Sequence, residues 1–149
     1  MINLNEKNIR HCRACDRGWG ICRSENRCVI VDDEFNKIHD SMADMDGFIL
    51  ITPVYFWGMS ESAKAFYDRL RRCEAFNTNS RVAAKPFSCI AAAGGTGNGC
   101  IPCLVEMEKL VDHLKGDKFD FIHVIQKNKK FKLETIRHSA EAMVDYIKS

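Results

Sequence analysis

Little in this chain of 149 residues draws it toward a charged partner or a membrane. Lys and Arg number 22 against 20 Asp and Glu, and a net charge of +2 is too small to argue for nucleic acid or an anionic surface. No apolar run reaches the length of a bilayer span, and Met1 opens no secretory-signal pattern, so the expected location is cytoplasmic. Internal repeats and low-complexity segments are absent. The five histidines (His11, His39, His113, His123, His138) share no ligand spacing, so surface or core positions are expected of them. Only His11, next to Cys12, stands near other reactive groups. No general acid or nucleophile is apparent, which weighs against hydrolase chemistry.

What is present is an ordinary globular composition, 46% hydrophobic and 28% charged, with enough chain for one domain over residues 1–149. Its one excess is cysteine. Eight in a chain without a secretory signal read as thiols, metal or cluster ligands, or redox groups rather than as a disulfide framework.

The chain is organised around residues 47–69, GFILITPVYFWGMSESAKAFYDR. Phe48-Ile49-Leu50-Ile51 is a short unbroken apolar run that suits a strand buried on both faces. Pairing is expected to stop at Thr52-Pro53, where the proline lacks an amide donor. Tyr55, Phe56 and Trp57 then follow one another where a loop is normally polar. Ser60 offers a helix N-cap, and Ala63, Phe66, Leu70 and Cys73 recur at the spacing of a buried helical face. In open α/β sheets ligands bind beyond the carboxyl ends of the strands. The aromatic loop is thus either the wall of a flat ligand's site or a cap on the core.

Along the rest of the chain, residues 1–10 offer at most the tail of a strand. Four cysteines, with Gly18-Trp19-Gly20 among them, occupy a loop over residues 12–28, and residues 28–31 suit a brief extended segment. Asp32 or Asp33 can cap a helix bearing Phe35, Ile38, Met42 and Met45. Pro86 introduces a second strand over residues 87–93, which runs into a loop with four glycines, Gly94, Gly95, Gly97 and Gly99. Pro102 suits the first turn of a helix with Leu104, Met107, Val111 and Leu114 inward, and Gly116 is placed as its left-handed cap. A third strand is expected over residues 119–125. A basic connection over residues 126–132 then leads to a final helix marked by Leu133, Ile136, Ala140, Met143 and Ile147. Strands alternating with helices imply a parallel sheet with helices on both faces.

The string TPVYFWGMSESAKAFYDR resembles the segment after the third strand of flavodoxin-like NAD(P)H-dependent FMN reductases and iron–sulfur flavoproteins. The resemblance implies a flavodoxin-like three-layer α/β/α fold with parallel strand order 2-1-3-4-5. It also implies FMN as cofactor, NAD(P)H as co-substrate, and a quinone, free flavin or protein as electron acceptor. Homo-oligomers are implied as well, with no nucleic acid and no membrane among the partners. In that family the aromatic loop lies against the isoalloxazine ring, which carries over to Pro53, Val54, Tyr55, Phe56, Trp57 and Gly58. The loop after the fourth strand meets the ring from the other side, which carries over to Ala93, Gly94, Gly95, Gly97, Asn98 and Gly99. Asp68-Arg69 matches the family's Asp-Arg pair, expected to form a salt bridge that positions the helix. The family's first strand and its Ser/Gly-rich phosphate loop have no counterpart, so the domain is expected to be N-terminally truncated.

Cys12 and Cys15 form a CxxC, followed by Cys22 and Cys28. Iron–sulfur flavoproteins carry a more compact four-cysteine motif in this place, which binds a [4Fe-4S] cluster. Four convergent thiolates suit a cluster or a structural zinc, and plain thiols are the remaining reading. Cys100 and Cys103 make a second CxxC at a helix start, where packing is the simpler expectation. The rival to a flavoenzyme is a non-catalytic iron–sulfur or zinc module for electron transfer or sensing, on a fold that no longer binds flavin.

Overall fold

The computed structural model describes residues 1–149. It divides into two compact units, one of Met1–Met45 with Glu61–Ala83 and the other of Asp46–Ser60 with Ala84–Ser149.

The first unit is helical and rich in irregular backbone. It holds 3-10 turns at Leu4–Glu6 and Asp16–Gly18, a short helix α1 (Ile21–Ser24), α2 (Phe35–Ser41) and the long α3 (Glu61–Glu74). No strand forms near the N-terminus, contrary to the expectation for residues 1–10. Nor do residues 28–31 pair. The Asn36 side chain instead takes the amide of Cys28 and the carbonyls of Cys28 and Ile30, satisfying groups that a ladder would otherwise bond. Asp33 accepts the Phe35 amide at 3.1 Å and so starts α2 as expected. Phe35, Ile38, Met42, Ala63, Phe66, Leu70 and Cys73 are all buried, and the rings of Phe35 and Phe66 meet at 5.3 Å.

The second unit is a sheet of four strands in the order β2-β1-β3-β4. β1 (Phe48–Tyr55), β3 (Pro86–Ala93) and β4 (Asp117–Ile125) are parallel, and β2 (Gly58–Met59) turns back antiparallel on the end of β1. α4 (Cys100–His113) and α5 (Lys129–Lys148) lie on opposite faces. On β4, Asp117 accepts the Tyr146 hydroxyl of α5, while the next residue, Lys118, pairs with Glu108 and Asp112 of α4. Successive side chains of a strand point to opposite faces, so the two helices do too.

Four further expectations are corrected here. Pro53 does not end β1: it stands opposite Ala92 within the parallel register. β1 meets β2 only at Val54 and Tyr55, and along an edge a missing amide costs no ladder bond. β1 is also buried on one face only, with Phe48, Leu50 and Thr52 inside and Ile49 and Ile51 44% and 60% exposed. At the end of α4 the left-handed residue is Lys115 (φ 55), not Gly116. Gly116 is needed for space, because a Cβ there would stand 2.5 Å from the Phe87 ring. α5 begins at Lys129, inside the stretch read as a basic connection, and buries only Met143 fully.

Candidate functional site

The carboxyl ends of β1 and β3 lie side by side in register, Thr52 beside Ala91 and Pro53 beside Ala92. The chain leaving β1 reverses at once. Tyr55 pairs with Gly58, so Phe56 and Trp57 form a two-residue hairpin loop, both with positive φ (43 and 70). That geometry is the one ordinarily filled by Asn-Gly, because a Cβ in the left-handed region costs about 1–2 kcal/mol per residue. Here it holds two large aromatics, and with Tyr55 before them they face solvent: Tyr55, Phe56 and Trp57 are 57%, 98% and 56% exposed. They do not cap the core. The return is fixed behind them by the Ser60 amide on Thr52 Oγ1 (3.0 Å) and the Met59 amide on Glu106 Oε2 (3.1 Å).

The glycine loop leaves β3 beside this hairpin. Gly94 and Gly95 face open space. Gly97 (φ 86) leaves no room for a side chain, since a Cβ would stand 2.6 Å from Ile125 Cγ2. Gly99 (φ 86) touches the hairpin itself: its Cβ would lie 2.9 Å from Trp57 Cα and 3.1 Å from Val54 Cγ1. One sheet rim therefore carries Pro53, Val54, Tyr55, Phe56, Trp57 and Gly58 beside Ala93, Gly94, Gly95, Gly97, Asn98 and Gly99. Aromatic faces next to exposed backbone amides suit a flat, hydrogen-bonding ring.

In the first unit, Cys12, Cys15, Cys22 and Cys28 line a single small cavity together with Cys73, Arg69 and Arg72. The four loop thiols are partly exposed and unpaired by any disulfide. Their loop is built from awkward backbone: Ala14, Asp16, Arg17 and Asn26 all have positive φ. Side chains hold it in place. Arg72 donates to the Gly18 carbonyl, and Arg69 donates from Nε to Cys28 Sγ at 3.2 Å. The Ala14 amide points at Cys12 Sγ, 3.4 Å away. No three His, Cys, Asp or Glu side chains are set to share one metal ion. Four thiols around one cavity, with N–H donors and arginines about them, are a donor set that a cluster or a zinc ion would use.

The remaining cysteines are packed away. Burial pushes the Cys89 thiol up to about 12 and the Cys103 thiol up to about 11, and it raises Cys73 and Cys100 as well. Such thiols stay protonated, and the Cys100–Cys103 pair is packing, as expected. Of the histidines, His39 is fully buried, with Nε2 2.6 Å from Glu74 Oε1. The Asp68-Arg69 pairing is corrected: Asp68 bonds Lys64, whereas Arg69 reaches Asp33, 36 residues earlier. Arg69 and Asp33 are the site residues that sequence reasoning placed wrongly or undervalued. Their partnership leaves no local signal.

Residues 1–116 match the family model described as NADPH-dependent FMN reductase. The chain belongs to that family. Among curated proteins similar to it, an iron–sulfur flavoprotein of Methanosarcina thermophila is 32% identical over 100 residues, 66% of this chain and 47% of that protein. Another, from Methanocaldococcus jannaschii, is 39% identical over 70 residues, 47% of this chain and 34% of that one. The chain thus spans less than half the length of these relatives. Among solved structures, the Trp repressor binding protein of Bacillus subtilis superposes with a TM-score of 0.57 at 19% identity, over 73% of this chain and 70% of that one. General stress protein 14 of Treponema denticola, solved in complex with FMN, gives 0.51 at 10% identity, over 76% and 71%. Together with the parallel sheet and its crossover helix, these likenesses show a flavodoxin-like α/β fold. No helix is long and apolar enough to cross a membrane.

Proposed function

We propose that this family member is an FMN-binding oxidoreductase that uses NAD(P)H and delivers electrons to a quinone, free flavin or protein acceptor. The observation that carries this reading is the contact of Gly99 with the Trp57 backbone, which joins the aromatic and glycine loops into one rim. FMN held there would supply the redox chemistry, hydride acceptance and onward electron transfer. The chain's own part is to hold the ring. Tyr55, Phe56 and Trp57 offer faces for stacking, and the amides of Gly95 and Gly97 can donate to the ring's polar edge. Gly97 and Gly99 keep side chains out of the way. The residues fit the isoalloxazine ring, and the fit extends no further than the ring.

The cysteine loop is assigned a [4Fe-4S] cluster, with Cys12, Cys15, Cys22 and Cys28 as ligands. Support comes from their shared cavity and its arginines, and from two relatives named as iron–sulfur flavoproteins. A homo-oligomer is part of the reading, since Phe56 at 98% exposure, Ile49 and Ile51 leave apolar surface to cover. The location is taken as cytoplasmic.

Titrating the purified chain into FMN tests the flavin assignment. Fluorescence quenching is expected, and Trp57→Ala should weaken it about tenfold, the equivalent of about 1.4 kcal/mol. No quenching at high FMN rejects the flavoenzyme. Iron and acid-labile sulfide in that same preparation would then favour a non-catalytic iron–sulfur module.

A further inference from the structure

The first unit buries one arginine beside its cysteine loop. Arg69 is 1% exposed, and every one of its N–H donors is engaged. Nε donates to Cys28 Sγ at 3.2 Å. One terminal nitrogen donates to the Arg10 carbonyl at 3.0 Å and to Asp33 Oδ2. The other donates to the Ile30 carbonyl at 3.3 Å and to Asp33 Oδ1 at 3.2 Å. The guanidinium lies over the Phe35 ring, 4.1 Å from its centre. Asp33 in turn accepts the amides of Arg10 (3.0 Å) and Phe35 (3.1 Å).

These partners are not scattered. Arg10 stands just before Cys12, and Cys28, Ile30 and Asp33 stand where the cysteine loop ends. One side chain on a regular helix thus fastens both ends of a loop that has little regular structure of its own. It does so with a planar fork that a lysine, with three donors on one atom, cannot reproduce. Its charge also sits against one particular sulfur. A cation and an N–H on a ligand sulfur favour the more negative, reduced state of whatever that sulfur binds.

We propose that Arg69 is a positioning residue for the cysteine centre: it pins the loop's two ends and, through Cys28 Sγ, raises the reduction potential of a cluster held there. The second half rests on the cluster assignment above; the first does not. Asp33 is the partner that keeps the fork oriented.

Arg69→Lys and Arg69→Gln, made in the full chain, test this through two readouts. Amide hydrogen exchange on metal-free protein reads the loop, and a potentiometric titration followed by electron paramagnetic resonance reads the cluster. Exchange across residues 12–28 is expected to quicken tenfold or more in both variants, with α3 still protected. In variant protein that retains iron and sulfide, the midpoint potential is expected to move negative, further for the uncharged glutamine. Lys64→Gln, which removes an exposed charge from the same helix, should alter neither readout. Wild-type loop exchange together with an unchanged midpoint overturns the proposal. Loss of protection throughout α3 also overturns it, since Arg69 would then be a core residue without a specific duty to the loop. A wild-type chain that takes up no iron and sulfide rejects the cluster assignment, and loop exchange alone then decides the positioning role.

Discussion

The sheet rim and the cysteine loop place reactive groups by opposite means. At the rim, regular structure does the placing: two parallel strands end together, and their loops meet because the strands do. Distortion there is confined to Phe56 and Trp57. In the cysteine loop, backbone distortion is spread over Ala14, Asp16, Arg17 and Asn26, and order comes from side chains reaching in from elsewhere, chiefly Arg69, Arg72 and Asn36. Strained backbone persists only where its surroundings over-determine it. The rim is held by a ladder and the loop by a few buried polar bonds, so single substitutions should damage the loop more.

The largest expected effect follows directly. Arg69→Met leaves the Asp33 carboxylate buried without its partner, and losing one member of such a pair costs about 3–5 kcal/mol. Urea unfolding followed by probes in residues 1–45 should show that loss; a change under 1 kcal/mol, about what a surface pair contributes, would mean the loop is held otherwise. At the rim, Gly99→Ala forces a side chain to φ 86 and against the Trp57 backbone. About 1–3 kcal/mol of stability should go, and FMN binding with it. If stability falls while binding holds, the two loops do not form one site.

The hairpin sharpens the comparison by moving the other way. Replacing Phe56-Trp57 with Asn-Gly puts residues suited to the left-handed region where they are needed, and thermal stability should rise by about 1–2 kcal/mol. FMN affinity should drop in the same variant. A variant that is no more stable would show that the strain is small, and one that still binds FMN as tightly would show that the aromatics are not contacts.

The smallest effect concerns acid. Burial works to raise the Asp33 carboxyl, but hydrogen bonds from Arg69 and from the Arg10 and Phe35 amides outweigh it, holding the group below its ordinary 3.8. Burial likewise works to raise Glu74, and the bonds to His39 and Ser80 hold it below 4.5. A carboxyl lowered in the folded state contributes stability that is complete above its unfolded value and is lost as pH falls through its folded value. The first unit should therefore keep its full stability above about pH 4.5 and lose it progressively as pH falls below the ordinary carboxyl range. Glu74→Gln should flatten that acid transition. An acid midpoint unmoved by the substitution would assign the sensitivity to other groups.

The same division explains what could be read from the chain alone. β1, β3 and β4 and the inward faces of α3 and α4 follow from apolar periodicity, so both rim loops could be found from composition and order. The one-sided burial of β1 could not, because Ile49 and Ile51 belong to an apolar run whether or not anything covers them. Pro53 misled for a related reason: a proline ends pairing in a central strand and is harmless at an edge, and edges are a property of the sheet. The cysteines announced themselves by type and spacing. Their supports did not. Asp33 offered itself as a helix cap, which it is, and nothing local said that Arg69 shares it. Asp68, the nearer acid, was the natural but wrong partner, since it turns to Lys64 on the exposed side of α3.

If the chain is a flavoprotein, a flat ring binds between the residues 55–57 hairpin and the glycine loop. Titrating riboflavin, which has the ring without the phosphate, into isotope-labelled protein and following its amide spectrum tests this most directly. Signals of Gly94, Gly95, Gly97 and the Trp57 indole should shift together along one binding curve. Shifts confined to other residues, or none at saturating riboflavin, would contradict it.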